Sequence, residues 1–303
     1  MPLKLNTILD LKNTYDTFLF DVWGVLWDGE EFYPGVIDTL ETLRQNGCKI
    51  GIISNSTLIA PQLEAKFSKF GLRAGKHFDD MFTSGSYLQH LIKQDFFKNI
   101  FGSDYTFYCY GQRNEELFVP WAPHERNALA EADFVYLGAL TDKITPIQKN
   151  EETQTILAEC LRLKKPLICA NPDICATKKG QIYYTQGAIA NAYESMGGKV
   201  YWFGKPYPEI FDFACQIFGA NKKTSIMVGD SVHTDIVGAT RAGIDSVLIY
   251  ETGILAHLTE TERQQEMKKE GVYPTYTLGK VALSKAAIST QFSIKKDRSK
   301  EES

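Results

Sequence analysis

What this 303-residue chain has little of narrows the options first. No stretch approaches the roughly 18 consecutive apolar residues that a membrane-spanning helix needs. The opening segment, MPLKLNTILDLKNTYDT, carries an acid inside its apolar part and so does not read as a secretory leader. Positive charge is not in excess: 33 Lys and Arg stand against 37 Asp and Glu, for a net charge of −4. That balance offers no general attraction for nucleic acid or for an anionic membrane, so neither is expected as a partner. Cysteine is sparse and scattered, at Cys48, Cys109, Cys160, Cys169, Cys175 and Cys215, mostly inside apolar segments such as PLICA and FDFACQIF. No pair has zinc-finger spacing, so buried, reduced thiols and a cytoplasmic location are expected. His77, His90, His124 and His257 share no spacing that suggests a common metal. There is no repeat of short period.

What is present is the composition of a globular protein, 44% hydrophobic and 23% charged, with length for one large or two medium domains. Strand-like and helix-like segments alternate. TFLFD reads as a buried strand. GVIDTLETLRQNG reads as an amphipathic helix with Val36, Leu40 and Leu43 on one face and Gly47 as its stop. KIGIIS is the next buried strand, and LEAKFSKFG the next helix. The same alternation resumes late, through IFDFACQIFG, SIMVG, DIVGATRAG and SVLIY. Apolar strands alternating with helices predict a parallel sheet covered on both faces. In such sheets ligands bind at the carboxyl ends of the strands.

Asn55 and Lys205 are 150 positions apart, a domain's worth of chain. This middle has its own strands (YTFYCYG, FVYLGAL, PLICA) and its own helices, near 147–164 and 188–196. The fold expected is therefore α/β: a discontinuous core from 1–79 and 199–290, with an α/β domain inserted over 80–198. The charged, aperiodic tail over 291–303 is expected to be disordered.

Four polar points fall at strand ends of the flanking blocks. Asp21 ends TFLFD; Ser54 and Asn55 end KIGIISN; Lys205 follows VYWFG; Asp230 ends SIMVGD, with Asp235 five residues on. In one parallel sheet these points converge on one rim. Three carboxylates and one lysine cannot gather there without a further counter-charge. A donor set of oxygen alone, with no His or Cys, suits Mg²⁺. A phosphate fits the remainder, since Ser54 offers a hydroxyl and Lys205 a point charge. Phosphoryl transfer needs this combination, because its transition state spreads negative charge over three oxygens. A carboxylate beside the metal can attack phosphorus and form an aspartyl-phosphate. Singly, each point has a structural reading: Asp is a favoured helix N-cap, and Ser-Asn a common turn. The order and placement of all four are the specific signal.

In that order the chain resembles the haloacid dehalogenase superfamily, subclass IIA, the branch of p-nitrophenylphosphatase-like and nucleotide-phosphatase-like proteins. FDVWGVLWDG resembles the first motif of that family, GIISNST the second, GKPYPEIF the third and MVGDSVHTDIVGATRAGIDSVLI the fourth, so that the likeness spans about residues 15–280. ANPD (Ala170–Asp173) and QGAIANAYE (Gln186–Glu194) resemble segments of its cap. The resemblance implies a Rossmann-like core with an α/β cap closing over the site, and a small phosphorylated metabolite as substrate. It implies Asp21 as nucleophile and Mg²⁺ ligand, with the backbone carbonyl of Trp23, Asp230 and Asp235 also holding the metal. It further implies that Ser54 and Asn55 bind the phosphoryl group and that Lys205 balances the charge of Asp21 and the phosphate. It admits a homo-oligomer, because cap-mediated dimers occur in related proteins.

Trp23 departs from the family pattern. Phosphatases of the family carry an Asp there, which protonates the leaving oxygen and later deprotonates water. Indole has only an N–H donor and cannot act as a base. Four readings follow: a weak or specialised phosphatase that borrows another acid such as Asp28; a dehalogenase-like hydrolase, since dehalogenases of the family have an aromatic residue here but lack a metal; a phosphate- or metabolite-binding protein with impaired catalysis; or a tryptophan that merely fills core. Among other polar residues, His233 reads as a solvated helix-start residue. Asn171 and Asp173 read equally as cap residues reaching toward substrate and as an Asn-Pro-Asp turn. Most of Tyr105, Phe107, Tyr108, Tyr110, Tyr183 and Tyr184 read as sheet-face packing.

Overall fold

A computed structural model describes residues 2–178 and 181–282. The tail expected to be disordered, 291–303, lies outside the described residues. Along the chain the strands are β1 (Leu3–Lys4), β2 (Thr17–Phe20), β3 (Lys49–Ser54), β4 (Asp80–Thr83), β5 (Phe107–Tyr110), β6 (Phe134–Leu137), β7 (Leu167–Cys169), β8 (Cys175–Lys178), β9 (Gln181–Tyr184), β10 (Val200–Trp202), β11 (Ser225–Gly229), β12 (Asp245–Ile249) and β13 (Tyr276–Leu278). Seven of them form one parallel sheet in the order β1-β13-β12-β11-β2-β3-β4. A second parallel sheet has the order β10-β7-β6-β5, and β8 pairs with β9 as an antiparallel hairpin. The architecture is thus a Rossmann-like core with an inserted sheet as cap.

The centre of the core sheet is built from near-continuous apolar strands because helices cover both faces. All four residues of β2 and all five of β11 are buried. Successive side chains point to opposite faces. Phe18, Phe20, Ile50, Ile52 and Val228 pack on one face with Leu40 and Leu43 of helix Val36–Gln45 and Leu63 and Phe67 of helix Ala60–Ser68. Leu19, Ile53 and Met227 pack on the other, with Phe211 and Ala214 of helix Pro208–Phe218. After β2 the chain builds β3 and β4 to one side. It returns from the inserted domain to build β11, β12 and β13 on the other. The order therefore reverses between β2 and β11, and a crevice opens beyond their carboxyl ends.

The expected domain limits need correcting at both ends. β4 begins at the residue assigned to the insert, yet it pairs with β3 from Gly51↔Asp80 to Ser54↔Thr83 and is an edge of the core sheet. β10 lies inside the stretch assigned to the core, yet it pairs with β7 from Val200↔Leu167 to Trp202↔Cys169. Both are short edge strands of 4 and 3 residues, and so short a run does not say which sheet it joins. One consequence matters for the site. The strand before Lys205 belongs to the inserted sheet, so Lys205 does not share a sheet with Asp21, Ser54 and Asp230.

The two sheets share apolar packing. The cluster that holds Leu19, Ile53 and Met227 also holds Phe107, Phe134, Tyr136 and Ile168 of the inserted sheet. Phe97 and Phe203 lie between: their ring centroids are 5.9 Å apart, and Phe97 also stacks on Phe134 at 5.6 Å. Tyr108, Val135 and Leu137 face the opposite way, onto helices Glu151–Arg162 and Gln186–Ser195. All six cysteines are free, four of them buried and Cys109 and Cys175 half-buried. No helix among the described residues is long and apolar enough to cross a membrane.

Phe97 is 1% exposed at this junction. Phe97→Ala should destabilise the protein by about 3–5 kcal/mol, the usual cost of emptying a large aromatic site. Urea unfolding of both chains checks this.

Candidate active site

Asp21 directly follows β2, and its N–H donates to the Val228 carbonyl of β11 at 2.9 Å. The sheet ladder thus fixes its backbone one step beyond the strand end. Asp230 follows β11 in the same way. Asp235 lies in a π-helical turn, Val232–Ile236, opened by Ser231, whose side chain accepts from Thr234 N–H. That turn points Asp235 back at the strand end: its Oδ2 accepts from the Asp230 and Ser231 N–H groups, both at 3.1 Å.

Lys205 arrives from the inserted domain and completes the set. Its Nζ donates to Asp21 Oδ1 at 2.6 Å, Asp235 Oδ1 at 2.7 Å and the Ile53 carbonyl at 3.3 Å. All of this is buried; the Lys205 side chain is 3% exposed and that of Asp235 0%. Asn55 holds the lysine from behind. Its Oδ1 accepts from Lys205 N–H at 2.7 Å, and its Nδ2 donates to the Lys205 carbonyl at 2.9 Å and to Asp173 Oδ1 at 2.8 Å. The Ser84 hydroxyl adds a long bond to the same Oδ1 at 3.4 Å. The Asn55 amide is therefore fully committed to protein partners. Ser54 Oγ accepts from Ser56 N–H at 3.2 Å.

Charge in this cluster is unbalanced. Carboxylate oxygens of Asp21, Asp230 and Asp235 lie within 4.8 Å of one another, a grouping that can hold a metal ion. Burial raises Asp21 to about 7 against the pull of Lys205, and Asp235 adds to the rise. Asp230 is raised well above the usual carboxylate range by burial and by Asp21 and Asp235. Burial alone would lower Lys205, but Asp21, Asp235 and Asp173 outweigh it and hold the ammonium charged. One ammonium against three carboxylates leaves room for a hard divalent cation, and the all-oxygen donors suit one.

Close backbone packing aims Asp230. Gly24 has φ +81° and Gly253 φ +72°, and a Cβ on either would collide with the Asp230 carboxylate. Glycine is required at both positions for conformation and for space. Ile254 N–H donates to Asp230 Oδ2 at 2.8 Å, and the Thr252 hydroxyl donates to the Gly24 carbonyl at 2.6 Å. Sequence reasoning missed this Thr252–Ile254 loop. Its signal was a Thr-Gly turn just after the strand SVLIY, neighbour to the strand that ends in Asp230.

The remaining candidates separate. The Trp23 carbonyl receives no hydrogen bond among the described residues. The indole packs on Phe67, with centroids 6.1 Å apart, under the Lys66 ammonium at 5.4 Å. Asp28 is exposed, and its Oδ1 accepts from the N–H groups of Glu30 and Glu31 at 2.7 and 2.8 Å, so it serves its own turn. The His233 side chain is 55% exposed and sits 3.2 Å from Glu270. Asn171 behaves as a turn residue: its Oδ1 accepts from Asp173 N–H at 3.1 Å and its Nδ2 donates to Gln186 at 3.2 Å. Asp173 reaches the site through Asn55.

Comparison with known proteins follows the same lines. A family model described as haloacid dehalogenase-like hydrolase matches residues 18–135, and a second, HAD-hydrolase-like, matches 202–281. The chain is 27% identical to a 4-nitrophenylphosphatase of Schizosaccharomyces pombe, over 93% of this chain and 98% of that one. It is 24% identical to a dihydroxyacetone phosphatase of Corynebacterium glutamicum, over 88% and 89% of the two chains. Among solved structures, a haloacid dehalogenase-like hydrolase from Brucella suis superposes with a TM-score of 0.75 at 28% identity, over 93% of this chain and all of that one.

Replacing Lys205 by Met should leave the buried carboxylates without their shared partner and cost about 3–5 kcal/mol, as broken buried ion pairs do. Thermal unfolding should also show a larger upward shift with added Mg²⁺ in the mutant than in the parent, because the excess negative charge is greater.

Proposed function

This chain belongs to the haloacid dehalogenase superfamily, in its p-nitrophenylphosphatase-like branch, and from that premise we propose that it is a magnesium-dependent phosphatase of small phosphorylated metabolites whose second step Trp23 slows. The observation that carries the reading is the buried Lys205 ammonium, bonded to Asp21 and Asp235 at 2.6 and 2.7 Å. It favours the ionised form of Asp21 against the burial that raises it, and it aims the carboxylate, which is what a nucleophile attacking phosphorus requires.

Asp21 attacks phosphorus and becomes an aspartyl-phosphate; water then hydrolyses it and restores the carboxylate. Ser54 and the Asn55 N–H bind phosphoryl oxygens as they redistribute charge. Lys205 offsets the charge of nucleophile and phosphate together. Asp21, Asp230, Asp235 and the Trp23 carbonyl would hold Mg²⁺, which supplies further neutralisation of the phosphoryl oxygens. The three-carboxylate set favours this chemistry over a metal-free, dehalogenase-like one. With indole at position 23, the acid and base assistance worth about 10²–10⁴-fold has no donor at its usual place.

Hydrolysis of 4-nitrophenyl phosphate and dihydroxyacetone phosphate should require Mg²⁺, stop with chelator, and fall to background in Asp21→Asn. Tight metabolite binding without any turnover would instead favour a binding protein, and halide release without metal a dehalogenase. Trp23→Asp, in a chain that still folds after losing the Phe67 contact, should raise kcat for a generic phosphoester by 10-fold or more, part of the factor such groups supply. Unchanged turnover counts against the role given to Trp23.

A further inference from the structure

If the phosphatase reading holds, the proton that Trp23 cannot carry needs another carrier within the site. The acids at the rim are spoken for. Asp21 is the nucleophile. Asp235 gives one oxygen to Lys205 and the other to two N–H groups, and Asp230 is held by Ile254 N–H in the metal-binding trio. Asp28 is turned into its own exposed loop, and His233 faces Glu270. Asp173 differs from all of these. It lies between β7 and β8 on the inserted domain, near enough to act electrostatically on both Asp21 and Lys205. Its N–H is pinned to Asn171 Oδ1 at 3.1 Å, and its carbonyl accepts from the Thr185 hydroxyl. Of its two carboxyl oxygens, Oδ1 accepts from Asn55; among the described residues no donor reaches Oδ2.

We propose that Asp173 is the general acid and base of this enzyme, standing in from the cap for the acid that Trp23 replaces. In-line displacement puts the leaving oxygen on the side of phosphorus away from the nucleophile. A carboxyl carried by the inserted domain does not share the loop after β2 that bears the nucleophile and Trp23. In the first step an Asp21 oxygen bonds to phosphorus, the bond from phosphorus to the ester oxygen breaks, and that oxygen takes the Asp173 proton and leaves as an alcohol. In the second, the Asp173 carboxylate takes a proton from water, the water oxygen bonds to phosphorus, and the bond to Asp21 breaks with its electrons returning to the carboxylate. Inorganic phosphate leaves and Asp173 is protonated again. Burial raises Asp173, although Lys205 and the Asn55 bond pull it down.

The test compares two leaving groups in the full chain with Mg²⁺. Nitrophenolate leaves without a proton; the alkoxide of dihydroxyacetone phosphate does not. Asp173→Asn preserves the size and the acceptor for Asn55. It should lower kcat/KM for dihydroxyacetone phosphate by about 10²-fold, the lower end of what such groups supply, which leaves room for the gain expected from Trp23→Asp. With 4-nitrophenyl phosphate it should still release one equivalent of nitrophenol in a burst, while phosphorylated Asp21 accumulates. Adding Trp23→Asp to the same chain should restore steady turnover. Equal losses with both substrates, or no rescue by Trp23→Asp, would reduce Asp173 to a residue that positions Asn55 and overturn the assignment. Should Asp173→Asn not fold, Asp173→Ser must show the same split. If the parent chain never phosphorylates Asp21 from 4-nitrophenyl phosphate, the phosphatase reading itself fails, a result distinct from the others.

Discussion

Everything at the site depends on one buried ammonium. Lys205 lies between Asp21 and Asp235, excluded from solvent, where an unpaired charge would cost several kcal/mol. It is tolerable there only because two carboxylates and the Ile53 carbonyl surround it, while the Asn55 side chain holds the Lys205 backbone. The carboxylates in turn are tolerable only because of the ammonium. The arrangement assembles as a unit, and its remaining negative charge leaves a grouping that can hold a cation.

Much of the core was legible because its signals are local. TFLFD and SIMVGD each combine a fully buried strand with an acid at its end, and the parallel sheet follows from the alternation of such strands with amphipathic helices such as Val36–Gln45. Asp21, Asp230 and Asp235 could be grouped from that pattern, and the structure brings them together. What was not legible is pairing over distance. β4 and β10 are too short to declare their sheet, so the limits of the insert were misplaced and Lys205 was assigned to the wrong sheet. The Thr252–Ile254 loop, which aims Asp230 through a backbone N–H, has no side-chain signature for its role. Asn171 and Asp173 looked alike in sequence. Only the fold separates the one that makes the turn from the one that meets Asn55.

Trp23 sits on a turn whose shape does not depend on its side chain. The backbone turn that follows Asp21 is fixed by the Gly24 N–H to Trp27 carbonyl bond and by the crowding of Gly24 against Asp230. Neither depends on the side chain at position 23. That side chain instead joins an aromatic group of Phe67, Trp27 and Phe32 beneath Lys66. Such packing stabilises the loop by dispersion and burial.

The path of the chain through Phe203 and Lys205 has a mechanical meaning. Phe203 is anchored among the rings that tie the two sheets together, and two residues later comes the counter-ion of the nucleophile. If the cap swings, it cannot travel without tugging on that counter-ion. Any displacement of the inserted domain therefore also displaces the ammonium bonded to Asp21 and Asp235.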